Sequence, residues 1–210
     1  ILGTTSGWDG GLYEIISDIE ISGLHIRRVR RTQPLNCPGL EDDHIEMSGP
    51  INPDTPEVIE RLIDRIKQSP NRCRDQDTGR PISIVVYLTS GGGYMEDGYR
   101  LGELFKEEYV TTIVPGEGEC YSSCATAFLG GLYRVMGERS TLAFHAPYRY
   151  LNRYDITCES SSERLRTYFR QMLNPEDGQF LYERTMSYCS NTAGWTLNPD
   201  AAELFNITTH

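Results

Sequence analysis

The chain has 210 residues with 30 acidic and 20 basic side chains, a formal net charge of -10, and 38% hydrophobic residues. That length buries a full core and that composition is globular, while no apolar run approaches the roughly 18 to 20 residues that cross a bilayer. The surplus of carboxylates repels phosphate backbones and argues against nucleic acid as a partner. The local exception, Arg27, Arg28, Arg30 and Arg31, reads as a solvated strand or loop.

Lys67 and Lys106 are the only lysines, both in helix-like segments, so a lysine base has just two candidates. Cys37, Cys73, Cys120, Cys124, Cys158 and Cys189 show neither a C-x-x-C pair nor zinc-type Cys/His spacing. They point to disulfides in an oxidising compartment, periplasmic or secreted. Six thiols allow about 15 full pairings; Cys37 with Cys73 and Cys158 with Cys189 would each tie a flanking segment to its neighbour. A bridge from Cys120 to Cys124 requires a helix that begins after Cys120, because a full helical turn holds the two apart. No metal site and no cofactor motif is read from the sequence.

In chain order, residues 1–40 read as an N-terminal extension: a Gly/Thr/Ser-rich start, one half-buried strand from Asp18 to Arg30 by its apolar–polar alternation, and a loop over residues 32–43. Residues 41–210 read as one domain. A short strand runs from His44 to Ile51. A helix follows Asp54-Thr55-Pro56, with Val58, Ile59, Leu62, Ile63 and Ile66 on one face. Ile82 to Leu88 is apolar throughout, as in a strand covered on both sides, and runs into Ser90-Gly91-Gly92-Gly93 before a helix from Met95 to Glu107. A strand over Val110 to Val114, a small-residue helix over Tyr121 to Leu129 and a strand over Thr141 to His145 come next. Two helices close the pattern, over Ser160 to Leu173, with Ser160 and Glu163 at capping-box spacing, and over Gln179 to Tyr188. This alternation predicts an α/β fold with a largely parallel sheet flanked by helices.

Two strand-to-helix junctions hold residues suited to chemistry. At Gly91-Gly92-Gly93, bare backbone N–H groups can converge on an anion or oxyanion; the run lacks both the Lys-Ser/Thr of a phosphate loop and the G-x-G-x-x-G pattern. At Gly116 to Ala127 a strand leaves through glycines into a helix, with Ser122 and Ser123 at its entry as caps or a nucleophile. A serine nucleophile needs a base, and His145, in Phe144-His145-Ala146-Pro147, is the only histidine late in an apolar strand.

These stretches together resemble the ClpP-like serine peptidases of the ClpP/crotonase superfamily, over about residues 44–147 and, more weakly, the C-terminal segment. Tyr87-Leu88-Thr89-Ser90-Gly91-Gly92-Gly93 is similar to that family's Ser-Pro-Gly-Gly turn, with Gly91 in place of proline. Gly118 and Gly131 bracket Ser122 as glycines do around the family's nucleophile. Phe144-His145-Ala146-Pro147 resembles its histidine strand, and Ile45 to Ile51 its first core strand. The cysteines and the Ser-Ser-Cys context resemble exported members most.

The resemblance implies repeated β-β-α units and a serine-type endopeptidase acting on peptide or protein substrates, needing no cofactor and assembling as a homo-oligomer. It implies Ser122 as nucleophile, with Ser123 as rival, His145 as general base, and the backbone N–H groups of Gly92 and Ser123 as the oxyanion hole. The family's aspartate falls near Asn191 to Ala193, where no acid stands. Asn191, Asp155 and Asp177 are the candidates for the third member, and a Ser-His dyad is the other option. Two alternatives share the fold: an inactive module that binds peptide or a partner, and a crotonase-type enzyme for coenzyme A thioesters, which an oxidising compartment disfavours.

Overall fold

The computed structural model describes residues 3–6, 12–31, 43–69, 72–75 and 77–209. The loop expected over residues 32–43 falls outside them except for Asp43, as does Cys37. In chain order the elements are β1 (Gly3–Ser6), β2 (Leu12–Ile21), β3 (Leu24–Arg31), β4 (Asp43–Ser48), α1 (Thr55–Lys67), β5 (Val85–Thr89), α2 (Met95–Glu107), β6 (Thr111–Val114) and β7 (Glu119–Tyr121). They continue with α3 (Ser123–Phe128), β8 (Tyr133–Met136), β9 (Thr141–Phe144), β10 (Tyr148–Tyr150), β11 (Ile156–Cys158), α4 (Glu163–Met172), α5 (Pro175–Met186), β12 (Trp195–Leu197) and α6 (Pro199–Leu204).

A seven-stranded sheet has the order β1-β2-β3-β4-β5-β6-β8, and a three-stranded sheet the order β12-β9-β7. From β4 to β8 neighbouring strands of the large sheet are parallel, as expected of strands joined by helical crossovers. The N-terminal strands add to it antiparallel. The single strand expected from Asp18 to Arg30 is instead a hairpin, β2 and β3, turning at Ser22-Gly23 with both residues at positive φ, the geometry of a tight hairpin turn. Leu24 and Ile26 of that hairpin join the same core as Ile45, Met47, Val86 and Leu88.

Helix α1 buries the expected face, Val58, Ile59, Leu62, Ile63 and Ile66, and has proline in its first turn. The capping box expected at Ser160 and Glu163 does not form. Ser162 takes the N-cap position without a side-chain cap bond, and its N–H donates to the Tyr182 hydroxyl at 3.1 Å, so α5 tethers the entry of α4.

The helices beneath the site are joined by a buried tyrosine. Tyr168 of α4 is fully buried and its hydroxyl donates to the Thr126 carbonyl of α3 at 2.8 Å; burial holds its pKa well above the ordinary tyrosine value. Removing that hydroxyl leaves a gap and one lost buried bond. Tyr168→Phe is therefore expected to lower stability by about 1–2 kcal/mol in chemical denaturation, and an unchanged midpoint would contradict the role assigned to the bond.

Candidate active site

The site lies where the two sheets are stitched together. Beyond the end of β5, Ser90 N–H donates to the Glu119 carbonyl at 2.8 Å and the Ser90 carbonyl accepts from Tyr121 N–H at 2.9 Å. β7 therefore runs between the exit of β5 and β9, with Tyr121 opposite Ala143 in parallel register. Ser122 continues that ladder by donating its N–H to the Ala143 carbonyl at 2.8 Å. The chain then reverses: Ser122 has φ 57° and ψ -123°, a backbone region in which a residue with a Cβ is strained.

Local bonds over-determine this elbow. The Ser122 carbonyl accepts from Thr126 N–H at 3.0 Å and from the Thr126 hydroxyl at 3.2 Å. A disulfide joins Cys120 to Cys124 across it. Helix α3 starts at Ser123, after Cys120, which is the condition under which that pairing is possible.

The two adjacent serines separate sharply. Ser122 is half-buried, whereas Ser123 has no exposure and packs on α2, where a Cβ added at Gly98 would lie 2.7 Å from the Ser123 Cβ. Among the described residues the Ser123 hydroxyl has no hydrogen-bond partner. Ser123→Ala removes an unsatisfied buried polar atom, so stability should stay level or rise by up to about 1 kcal/mol. A clear fall in the unfolding midpoint would show that the hydroxyl carries a structural bond.

The glycine loop presses on the elbow. Gly92 has φ +95°, and a Cβ there would lie 2.7 Å from both the Ser122 Cβ and the Tyr121 carbonyl oxygen, and 3.2 Å from the Ser123 nitrogen. Only glycine fits this contact. The Gly92 carbonyl accepts from Ile51 N–H at 2.9 Å, and its own N–H donates to Ser90 Oγ at 3.0 Å. Among the described residues, neither the Ser123 nor the Gly93 N–H has an acceptor. Thus Ser123 and Gly92 both border Ser122, but the Gly92 amide is engaged by Ser90. A serine ending a buried strand before three glycines was the available signal for that engagement.

His145 follows β9 directly. With Tyr121 opposite Ala143, Ser122 and His145 sit on adjoining strand ends, His145 one residue further along. The imidazole Nδ1 lies 3.0 Å from the Ala146 carbonyl oxygen, and the ring packs at 5.4 Å on Tyr148. A carbonyl can only accept, so Nδ1 carries a proton and, in the neutral ring, Nε2 offers a lone pair. Among the described residues no hydrogen bond joins Ser122 to His145.

Among the described residues, no hydrogen bond joins any of the three candidates for the third member to the imidazole. Asn191 is exposed and donates from Nδ2 to the Tyr150 hydroxyl at 3.4 Å. Asp155 accepts from Asn152 at 2.6 Å between β10 and β11. Asp177 accepts from Asn174 at 2.5 Å and from Asn206 at 3.2 Å at the start of α5. The contact from Asn191 pulls the Tyr150 hydroxyl below its ordinary pKa, with Tyr148 adding to it. Burial, then Tyr150, pushes Tyr148 up. Asn191 thus reaches the histidine only through two tyrosines. The lysines stand elsewhere: Lys67 pairs with Glu108 at 2.7 Å and Lys106 bonds the Gln171 carbonyl, so neither serves Ser122 as a base.

No protein-family model and no curated protein matches the chain. Solved structures match its fold. A mutant of the 1510-N membrane-bound stomatin-specific protease is similar with TM-score 0.55 and 16% identity, over 78% of this chain and 75% of that one. A ClpP1 mutant from Listeria monocytogenes is similar with TM-score 0.55 and 16% identity, over 79% of this chain and 88% of that one. A second mutant of the stomatin-specific protease, in complex with a substrate peptide, is similar at the same TM-score and identity, over 78% and 71%. The chain has a ClpP-like α/β fold, with a mostly parallel central sheet flanked by helices.

Proposed function

We propose that the protein is a serine hydrolase that cleaves peptide bonds in an oxidising compartment. Ser122 is the nucleophile and His145 the general base. The observation that carries this reading is the positive-φ elbow that sets Ser122 on the strand end beside His145. Its disulfides support the compartment, and the similarity to structures of a protein named as a protease supports the reaction.

The chemistry follows from the bonds described. Nε2 of the neutral imidazole accepts the Ser122 proton as the hydroxyl oxygen attacks the substrate carbonyl carbon, and the imidazolium later protonates the leaving amine. The Ser123 amide donates to the developing oxyanion. The Gly92 amide joins when it exchanges Ser90 Oγ for that more negative acceptor, and each such donor contributes on the order of 3 kcal/mol. The Ala146 carbonyl fixes the tautomer in place of an acid. It supplies no negative charge to stabilise the imidazolium, so turnover slower than that of an acid-backed triad follows.

Incubation with a library of fluorogenic peptides tests the reading. Hydrolysis should be abolished by a fluorophosphonate and unaffected by a metal chelator. Among the described residues, the absence of a Ser122–His145 hydrogen bond and of a carboxylate on Nδ1 favours a second reading, an inactive module that binds peptide in the same groove. Peptides retained by the protein but recovered uncut would establish that one.

A further inference from the structure

Three contacts around His145 converge on one disulfide. Cys158 is bridged to Cys189. Ala146, whose carbonyl receives the imidazole Nδ1–H, donates its own N–H at 2.9 Å to the carbonyl of Tyr188, the neighbour of Cys189. Tyr148, whose ring packs on the imidazole, stands opposite Cys158 in the β10–β11 ladder, and Glu159 N–H donates to the Pro147 carbonyl at 2.9 Å. The segment Ala146–Tyr148 is thereby enclosed on one side by the chain leaving α5 and on the other by β11, with the bridge closing the frame.

We propose that the Cys158–Cys189 disulfide is a positioning element for His145: it holds the Ala146 carbonyl and the Tyr148 ring against the imidazole and so does the orienting work that an acid does in a triad. This rests on the hydrolase reading above. The physical reason is that a carbonyl on the adjoining residue turns with the local backbone, so it selects one tautomer only while that backbone is fixed. A carboxylate on a separate element would not need such a frame. Covalent closure removes the backbone freedom that would let Ala146 rotate away. Cys189 is exposed, whereas Cys120 and Cys124 are wholly buried, so the frame around the base opens to a reductant more readily than the bridge across the elbow.

The test treats native protein with dithiothreitol. Each molecule of the dithiol closes to its cyclic disulfide and leaves Cys158 and Cys189 as thiols. Alkylation and mass mapping verify that this bridge is open while Cys120–Cys124 is intact. Imidazole 15N shifts of His145 are read alongside peptide hydrolysis, and a C158S/C189S variant repeats both measurements without a reductant. On opening, the Nδ1–H tautomer signal should give way to a tautomer average, and kcat should fall roughly 10- to 100-fold with KM within about threefold. Reoxidation should restore both. An unchanged tautomer signal with the bridge open overturns the proposal, as does loss of the signal only together with the far-UV circular dichroism. Native protein that cuts no peptide would count against the hydrolase reading alone, because the tautomer measurement needs no activity.

Discussion

Ser122→Ala is expected to lower peptide hydrolysis by on the order of 10³- to 10⁶-fold, because the loss of a nucleophile removes covalent catalysis and leaves only binding and the oxyanion donors. The fold should survive. Ser122 contributes its backbone to the elbow through the Ala143 and Thr126 bonds, and no bond of its hydroxyl to another described residue is present. Alanine at φ 57° bears the same backbone strain as serine, so the unfolding midpoint should shift by less than about 1 kcal/mol. Ser123→Ala in the same assay should hydrolyse peptide at close to the wild-type rate, since that side chain is fully buried against α2. If activity instead followed Ser123, the elbow would have to open to expose it and the assignment of roles would reverse.

Gly92→Ala is the second large expected effect, acting through shape with no change to a reacting group. Its methyl would stand 2.7 Å from the Ser122 Cβ and from the Tyr121 carbonyl, at φ +95°. Either the glycine loop or the elbow must move. A displaced Gly92 amide leaves the oxyanion with one donor fewer, for a loss of about 10²- to 10³-fold in kcat, accompanied by destabilisation of about 1–3 kcal/mol from the strained φ and the overlap. Gly91→Ala is the control: a Cβ at Gly91 meets nothing within 4 Å, so that variant should stay near wild type in rate and stability. Equal losses in the two variants would show that the loop is merely intolerant of side chains and has no specific contact with Ser122.

The sequence carried the segments whose neighbours along the chain define them. Helix α2 spans Met95–Glu107 as expected, and α1 buries the stripe read from Val58 to Ile66. Elements defined by partners far along the chain were not legible. β7 is three residues, Glu119–Tyr121, and is a strand because Ser90 and β9 pair with it; alone, its glutamate and cysteine show no strand pattern. β10 places Arg149 and Tyr150 in solvent, so no apolar alternation announces it. The alternation from Asp18 to Arg30 continued through Ser22-Gly23 because a tight hairpin preserves the period on both arms.

The site divides along the same line. Residue type and spacing bring forward the pair Ser122 and Ser123, His145 and the glycines, each for what its own side chain or bare backbone can do, and the resemblance to ClpP-like peptidases chooses Ser122 between the two serines. The partner of Nδ1 was out of reach because it is the carbonyl of Ala146, a group every residue owns. The pairing of Cys158 with Cys189 matches one of the pairings expected from the flanking segments. Cys73 is disulfide-bonded, and its expected partner Cys37 falls outside the described residues.

The central claim is that one hydroxyl, at the elbow between β7 and α3, is activated by the imidazole on the neighbouring strand end. Peptide mapping of the native, disulfide-intact protein after treatment with a fluorophosphonate tests it most directly, because that reagent is captured by an activated serine. The account predicts a single phosphonyl group per chain, carried by Ser122 and absent when His145 is replaced by glutamine. An adduct on a different serine, undiminished labelling in His145→Gln, or no adduct on correctly folded protein would contradict it.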